Sequence, residues 1–167
     1  GRIDAALATS QRMIEAAPQN PFAKLLRGQA LAAGGQFDQA RTLVEEVVSD
    51  QPQNSQARLL LGLVNLKQGN AGQAEMNFAN VVATDPGNVR AQRLLAETRA
   101  RLQTPEQSLA ALKPALEQAS ADPTLLAMAS RLSLAKGDRA GALDYLAQAT
   151  SRDVAAAGAD VQLEIAG

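Results

Sequence analysis

The sequence predicts an all-α fold, an α-solenoid of about nine helices that pair antiparallel and stack in chain order. Three observations carry that expectation: a 34-residue internal period, helical spacing of the apolar residues inside each period, and a composition suited to helices in close contact. Pro18, Pro52 and Pro86 form one column of the period, and Gly1, Gly35, Gly69 and Gly137 a second, interrupted by Gln103. Ala6, Ala40, Ala74 and Ala142 form a third, with Ser108 as its small-residue exception, and Gly28 and Gly62 a fourth, continued by Ala96 and Ser130. Of 167 residues, 35 are Ala and 23 Leu against three Phe, one Tyr and no Trp, so the helix faces are lean and their axes can approach closely.

Taken along the chain, residues 1–20 read as an orphan second helix, helical from about Ile3 to Ala17. Residues 21–54, 55–88, 89–122 and 123–156 read as four complete pairs, and 157–167 as the start of a further one. The second pair shows the logic. Leu59, Leu60, Leu61, Leu63 and Leu66 fall at helical spacing between Ser55 and Lys67. Gln68-Gly69-Asn70 then breaks the chain, Gly suiting a positive φ and Asn being a candidate N-cap. A second helix from about Ala71 to Thr84 buries Ala74, Phe78, Val81 and Val82, and Asp85-Pro86-Gly87-Asn88 stops it. Where Gln103 replaces the glycine, Thr104-Pro105-Glu106-Gln107 offers an N-cap Thr, Pro at the first helical position and Gln three residues after the cap.

The small columns fall where paired helices should cross. A missing side chain lets the axes approach to about 8 Å, and Ala74→Leu would overpack that crossing by about 1–3 kcal/mol. Pro114, inside the second helix of the third pair, costs about 3 kcal/mol. Burial of Leu109, Leu112 and Leu116 returns about 1.5–3 kcal/mol each, so the helix is expected to persist with a kink. Leu7, Met13 and Ile14 near one end, and Val161, Leu163 and Ile165 near the other, look like interior faces, as in a segment of a longer array. Self-association through exposed array ends is a matching expectation.

Composition excludes much chemistry. Without Cys or His the chain has no ordinary zinc site, no Ser-His or Cys-His nucleophile and no disulfide. A formal charge of −1, from 16 basic and 17 acidic residues, argues against generic nucleic-acid binding. No apolar run approaches membrane-helix length. Carboxylates such as Glu45, Glu46 and Asp50 read as a solvated helix face, and no acid is set against a base for catalysis. No enzyme, no cofactor and no metal are therefore expected.

A small residue at column eight of each unit, Ala at twenty, a bulky apolar residue at twenty-four and Pro at thirty-two resembles the tetratricopeptide repeat (TPR). Those columns read Gly28, Ala40, Val44 and Pro52, then Gly62, Ala74, Phe78 and Pro86. The third unit has Ala96, Ser108, Leu112 and Ser120, and the fourth Ser130, Ala142 and Leu146. The aromatics the family often carries at columns four and eleven are replaced by Lys24 and Leu31, then Arg58 and Asn65. The resemblance implies a right-handed superhelix whose first helices line a concave groove that binds a protein or peptide.

The family's groove columns map here to Phe22, Leu25, Gln29, Ala32 and Ala33, then Gln56, Leu59, Leu63, Leu66 and Lys67. The third and fourth units give Arg90, Arg93, Glu97, Ala100 and Arg101, then Thr124, Ala127, Arg131, Leu134 and Ala135. The groove candidates of chief interest are Phe22, Leu25, Gln29, Leu59, Lys67, Arg90, Arg93, Glu97, Arg101 and Arg131. Leu63 can equally fill the core, and Arg93, Glu97 and Arg101 have the spacing of ordinary helix-face ion pairs. As a set, the arginines would suit a partner bearing an acidic group. The Lys/Asn carboxylate clamp of chaperone-binding members is absent, because its positions here include Leu60 and Leu63.

The stretches RLLAETRARLQTPEQSLAALKPALEQ and DPTLLAMASRLSLAKGD, within Arg93 to Asp138, also resemble the TPR lipoproteins of bacterial exosortase (PEP-CTERM) and exopolysaccharide systems. That resemblance implies a periplasmic or outer-membrane-attached protein active in extracellular polymer assembly or protein sorting. A cytoplasmic interaction protein is the rival reading. Direct binding of an acidic polysaccharide along the arginines is a second function, against which the scarcity of stacking aromatics counts, Tyr145 being the one tyrosine.

Overall fold

The computed structural model describes residues 2–102, 104–117 and 123–151. Every regular element among them is an α-helix. In order they are α1 (Arg2–Ala16), α2 (Pro21–Ala33), α3 (Phe37–Asp50), α4 (Ser55–Lys67), α5 (Ala71–Thr84), α6 (Val89–Arg101), α7 (Pro105–Leu116), α8 (Pro123–Lys136) and α9 (139–151). The starts of α2, α4, α6 and α8 are 34 residues apart, as are those of α3, α5, α7 and α9. Gly1, Gln103, Ser120, Val161, Leu163 and Ile165 lie outside the described residues, as does the expected helix start after Ala155.

Two kinds of joint alternate along the chain. Within each pair the first helix ends in a Schellman-type turn, whose backbone N–H reaches back to the carbonyl five residues earlier. Gln36 donates to Leu31, Asn70 to Asn65, Thr104 to Arg99 and Asp138 to Ser133, at 2.9–3.1 Å, again on the period of the sequence. Such a turn needs a left-handed residue, which Gly35, Gly69 and Gly137 supply with φ of 77°, 82° and 88°.

Asn70 and Thr104 depart from the N-caps expected of them. Neither side chain accepts an amide of the helix it precedes. Asn70 sits at φ −84°, ψ 61°, the same torsions as Gln36 (−85°, 61°), away from the extended geometry of a capping residue. The Thr104 hydroxyl instead donates backwards to the Arg99 carbonyl at 2.9 Å. Only Asp138 caps at this joint, its Oδ1 accepting from the Gly141 amide at 2.9 Å.

Between pairs the joint is a β-turn with proline at its second position. The amides of Asn20, Asn54 and Asn88 donate to the carbonyls of Ala17, Gln51 and Asp85 at 3.0–3.1 Å. Each asparagine then caps the next helix. Asn20 Oδ1 accepts from Phe22 and Ala23, Asn54 Oδ1 from Ala57 and Asn88 Oδ1 from Ala91. This Asn column, with the same 34-residue spacing as the prolines, is readable in the sequence.

The chain divides into two compact units, Gly1–Ala91 and Gln92–Gly167. In the first, α1 packs on α2, α2 on α3, α3 on α4 and α4 on α5, and α2 also touches α4. Leu25, Leu31, Val44, Val47, Leu60, Leu61 and Val64 form one cluster there, with Leu7 packed against it. The small columns do the work expected of them. A Cβ on Gly28 would lie 2.7 Å from Val44 Cγ2, and one on Gly62 would run into the Phe78 ring, 2.7 Å from Cζ and nearer still to Cε1. Ala40, Ala74, Val44 and Phe78 are all fully buried, and Val82 is half-buried.

Long cations stand at column four of the first two units, where the family often carries aromatics. Lys24, 7% exposed, lays its stem against the hairpin and reaches Gln19 Oε1 at 3.2 Å and Glu46 Oε2 at 2.9 Å. Arg58 Nε donates to the Pro52 carbonyl at 2.6 Å. Both tie a first helix to the joint before it.

In the second unit α7 packs on α8, burying Leu112, Ala115, Leu125, Leu126 and Ala129. Ser130, in the column of Gly28 and Gly62, donates its hydroxyl to the Ala142 carbonyl at 2.8 Å, so a buried polar group is satisfied at the crossing. Helix α7 runs through Pro114, which is exposed, and ends at Leu116. The amide that proline lacks would have served the carbonyl of Ala110, an exposed residue within reach of water.

Candidate functional site

Each unit holds a cavity between first helices, and the two prove to be the same repeat position. In the first unit a cavity of about 440 Å³ opens between α2 and α4. Ala32, Ala33 and Gly35 form one wall, Leu60, Leu63, Val64 and Lys67 the other, and Phe37 lies at the end. In the second, a cavity of about 310 Å³ is lined by Glu97, Ala100 and Arg101 of α6 and by Met128, Arg131 and Leu132 of α8. Adding 68 residues, twice the period, converts Ala32 to Ala100, Ala33 to Arg101, Leu60 to Met128, Leu63 to Arg131 and Val64 to Leu132. Backbone position is repeated while lining chemistry changes.

The local reason is helix geometry. Residues 60, 63, 64 and 67 are spaced i, i+3, i+4, i+7, one face of α4, and 128, 131 and 132 repeat that spacing on α8. Leu60, Val64, Met128 and Leu132 are buried and form floors. Positions 63, 67 and 131 stand at the mouths, Leu63 half-buried and Lys67 and Arg131 exposed. In the first unit small Ala32 and Ala33 leave room at the end of α2.

Electrostatics separate the two cavities. In the second, Glu97 Oε1 lies 3.7 Å from Arg93 Nε, a pair in which both side chains are nearly half exposed. The side chains of Arg101 and Arg131 make no ion pair or hydrogen bond with the described residues, so the mouth carries two guanidinium forks beside one already engaged carboxylate. In the first, Lys67 is the one charged lining residue, and it too makes no ion pair among the described residues.

The expected groove residues divide accordingly. Lys67 lines the first cavity, and Glu97, Arg101 and Arg131 the second. Arg93 stands beside the second as Glu97's partner. Phe22, 59% exposed at the start of α2, Gln29, Leu59 and Arg90 line neither, although Phe22, Gln29 and Arg90 are exposed and Leu59 half-buried. Leu25 is a correction: at 4% exposed it belongs to the core cluster, because α2 is flanked by α1, α3 and α4 and its apolar face is covered. Sequence reasoning missed Gly35, Phe37, Leu60, Val64, Met128 and Leu132 as lining residues. The signal was present, since each of the last four lies three or four residues from a groove candidate on its own helix.

Hairpins of helix repeated at 34 residues, with cavities between successive first helices and no regular element other than helix among the described residues, define a helical-repeat interaction module. The TPR family model matches residues 1–64 and 65–132, and the chain belongs to the tetratricopeptide repeat family. Its fold is similar to that of MamA. A crystal structure of MamA superposes with a TM-score of 0.85 at 17% identity, covering 93% of this chain and 91% of that one. MamA 41-end from Desulfovibrio magneticus RS-1 gives 0.83 at 21% identity, covering 93% and 88%. MamA MSR-1 gives 0.78 at 20% identity, covering 93% and 90%. No curated protein matches the chain in sequence. Among the described residues no helix is long and apolar enough to cross a membrane.

Proposed function

We propose that this chain is a non-enzymatic scaffold that binds a protein or peptide on its first helices and recognises an acidic group at the cavity between α6 and α8. One observation carries the reading: Arg101 and Arg131 share a cavity with an apolar floor, and neither makes an ion pair among the described residues, the one acid there, Glu97, being paired with Arg93. A guanidinium presents paired donors matched to a carboxylate, and a floor of Met128 and Leu132 strengthens each such bond by excluding water from one side. Charge-assisted hydrogen bonds contribute about 1.5–3 kcal/mol each, enough for a short acidic segment to discriminate.

The resemblance of the Arg93–Asp138 stretch to exosortase-associated TPR lipoproteins supports a role at the bacterial envelope, in extracellular polymer assembly or protein sorting. An anionic peptide, its amide-for-acid twin and an anionic polysaccharide, each titrated at two salt concentrations, test the proposal. The peptide is expected to bind, to weaken with salt, and to lose about tenfold or more in Arg101→Ala/Arg131→Ala. Affinity unchanged by that double substitution, or a polysaccharide binding more tightly than the peptide, would reject it.

A further inference from the structure

The cavity of the first unit has the frame of the second with a different lining, and the difference specifies a different ligand. At the two positions where the second unit carries Arg101 and Arg131, the first carries Ala33 and Leu63. No acid lines it, Leu60 and Val64 close its floor, and Lys67 supplies one unmatched positive charge at the mouth. We propose that this first-unit socket takes an aliphatic side chain of a peptide whose next residue is acidic, the side chain seated on Leu60, Leu63 and Val64 and the carboxylate held by Lys67.

The chemistry follows from the lining. A volume of about 440 Å³ exceeds what one aliphatic side chain fills, so the flanking backbone can enter with it. The walls offer that backbone no charged group except Lys67, and an unpaired ammonium beside an apolar floor favours a carboxylate over a neutral group next to the seated side chain. A purely acidic segment would leave the floor wet, and a purely aliphatic one would leave Lys67 without a counter-ion. The second unit, by contrast, rewards charge first. One backbone frame, read twice, therefore presents two recognition chemistries.

This inference rests on the reading of the array as an interaction scaffold, and its test keeps the two apart. The probe is a short peptide with blocked termini carrying Leu-Asp in a Gly/Ser background, compared with Leu-Asn and Gly-Asp twins and titrated against the whole chain. Leu-Asp is expected to bind about tenfold more tightly than either twin. Lys67→Glu, at an exposed position, should erase or invert the preference for Asp over Asn. The exchange Ala33→Arg/Leu63→Arg, which copies the second unit's lining, should erase the preference for Leu and create binding of a peptide with several acids. Leu-Asp binding that survives Lys67→Glu unchanged overturns the proposal. So does loss of that binding in Arg101→Ala/Arg131→Ala with the first-unit variants unaffected, or saturation of the socket by decanoate as tightly as by the peptide. Retention of Leu-Asp selectivity alongside failure of the acidic peptide at Arg101 and Arg131 supports this socket and removes only the second-unit reading.

Discussion

Gly62→Ala adds one methyl at the glycine of the first unit where a Cβ has least room, and its cost can be worked from the structure. The new Cβ would meet three atoms of the Phe78 ring, all under 3.0 Å, and that ring is fully buried. A ring in such a place moves as a body, so the overpacking cost falls toward the upper part of the usual range of about 1–3 kcal/mol. Against it stands the gain in helix propensity from Gly to Ala, about 1 kcal/mol. The net expectation is a loss of about 1–2 kcal/mol, read as a lower urea midpoint at constant slope.

The third pair of the same chain indicates the remedy. There Ala96 and Leu112 occupy the columns of Gly62 and Phe78, and both are fully buried. Gly62→Ala combined with Phe78→Leu copies that pairing. The two substitutions are therefore expected to be non-additive, with a favourable coupling of about 1 kcal/mol or more in a double-mutant cycle. Circular dichroism and tyrosine fluorescence should report coincident transitions, or the free energies cannot be compared. A Gly62→Ala variant as stable as the parent, or strict additivity in the cycle, would refute the reasoning that close approach, rather than tolerance of a weak helix former, explains glycine there.

Three further outcomes are expected from the same geometry. Asn54→Ala removes the acceptor of the Ala57 amide and should lower stability by about 1 kcal/mol, whereas Asn70→Ala, whose side chain makes no cap bond, should change it by much less; paired urea melts check this. Gly69→Ala forces a Cβ into φ 82°, at about 1–2 kcal/mol, measured by the same melts, although open space surrounds the site. Ser130→Ala removes the hydroxyl bond to the Ala142 carbonyl inside the α8–α9 crossing and should cost about 1 kcal/mol, with amide exchange accelerating locally in residues near 142.

Most of the fold was legible because one physical device recurs. Small columns, prolines and glycines are each forced by a local requirement: close approach, a fixed φ, a positive φ. The helices at Ser55–Lys67 and Ala71–Thr84 therefore lie where the sequence puts them. Capping was less legible, since Asn can serve either joint. At Asn70 the side chain accepts no following amide, whereas Asp138, with the same five-residue backbone bond, does cap, and nothing in residue type announces the difference. Leu25 misled for a similar reason. A column marks a direction on one helix, but whether that direction meets solvent depends on how many helices surround it, and α2 has three neighbours. The cavities were half legible: their mouths follow the groove columns, while their floors required the next residues round each helix face.

The alternation of joints has a consequence for how this chain can change. Where a first helix turns into its partner, all that is demanded is a glycine-like bend, since main-chain atoms complete the closure; Gln36, Asn70, Thr104 and Asp138 put an amide, a hydroxyl or a carboxylate at the same position. Where one pair hands over to the next, an amide side chain closes the link, and Asn recurs at 20, 54 and 88. Tolerance to substitution should thus rise and fall every half repeat, leaving the former bends free to drift or be redesigned while the latter fix where each following helix begins.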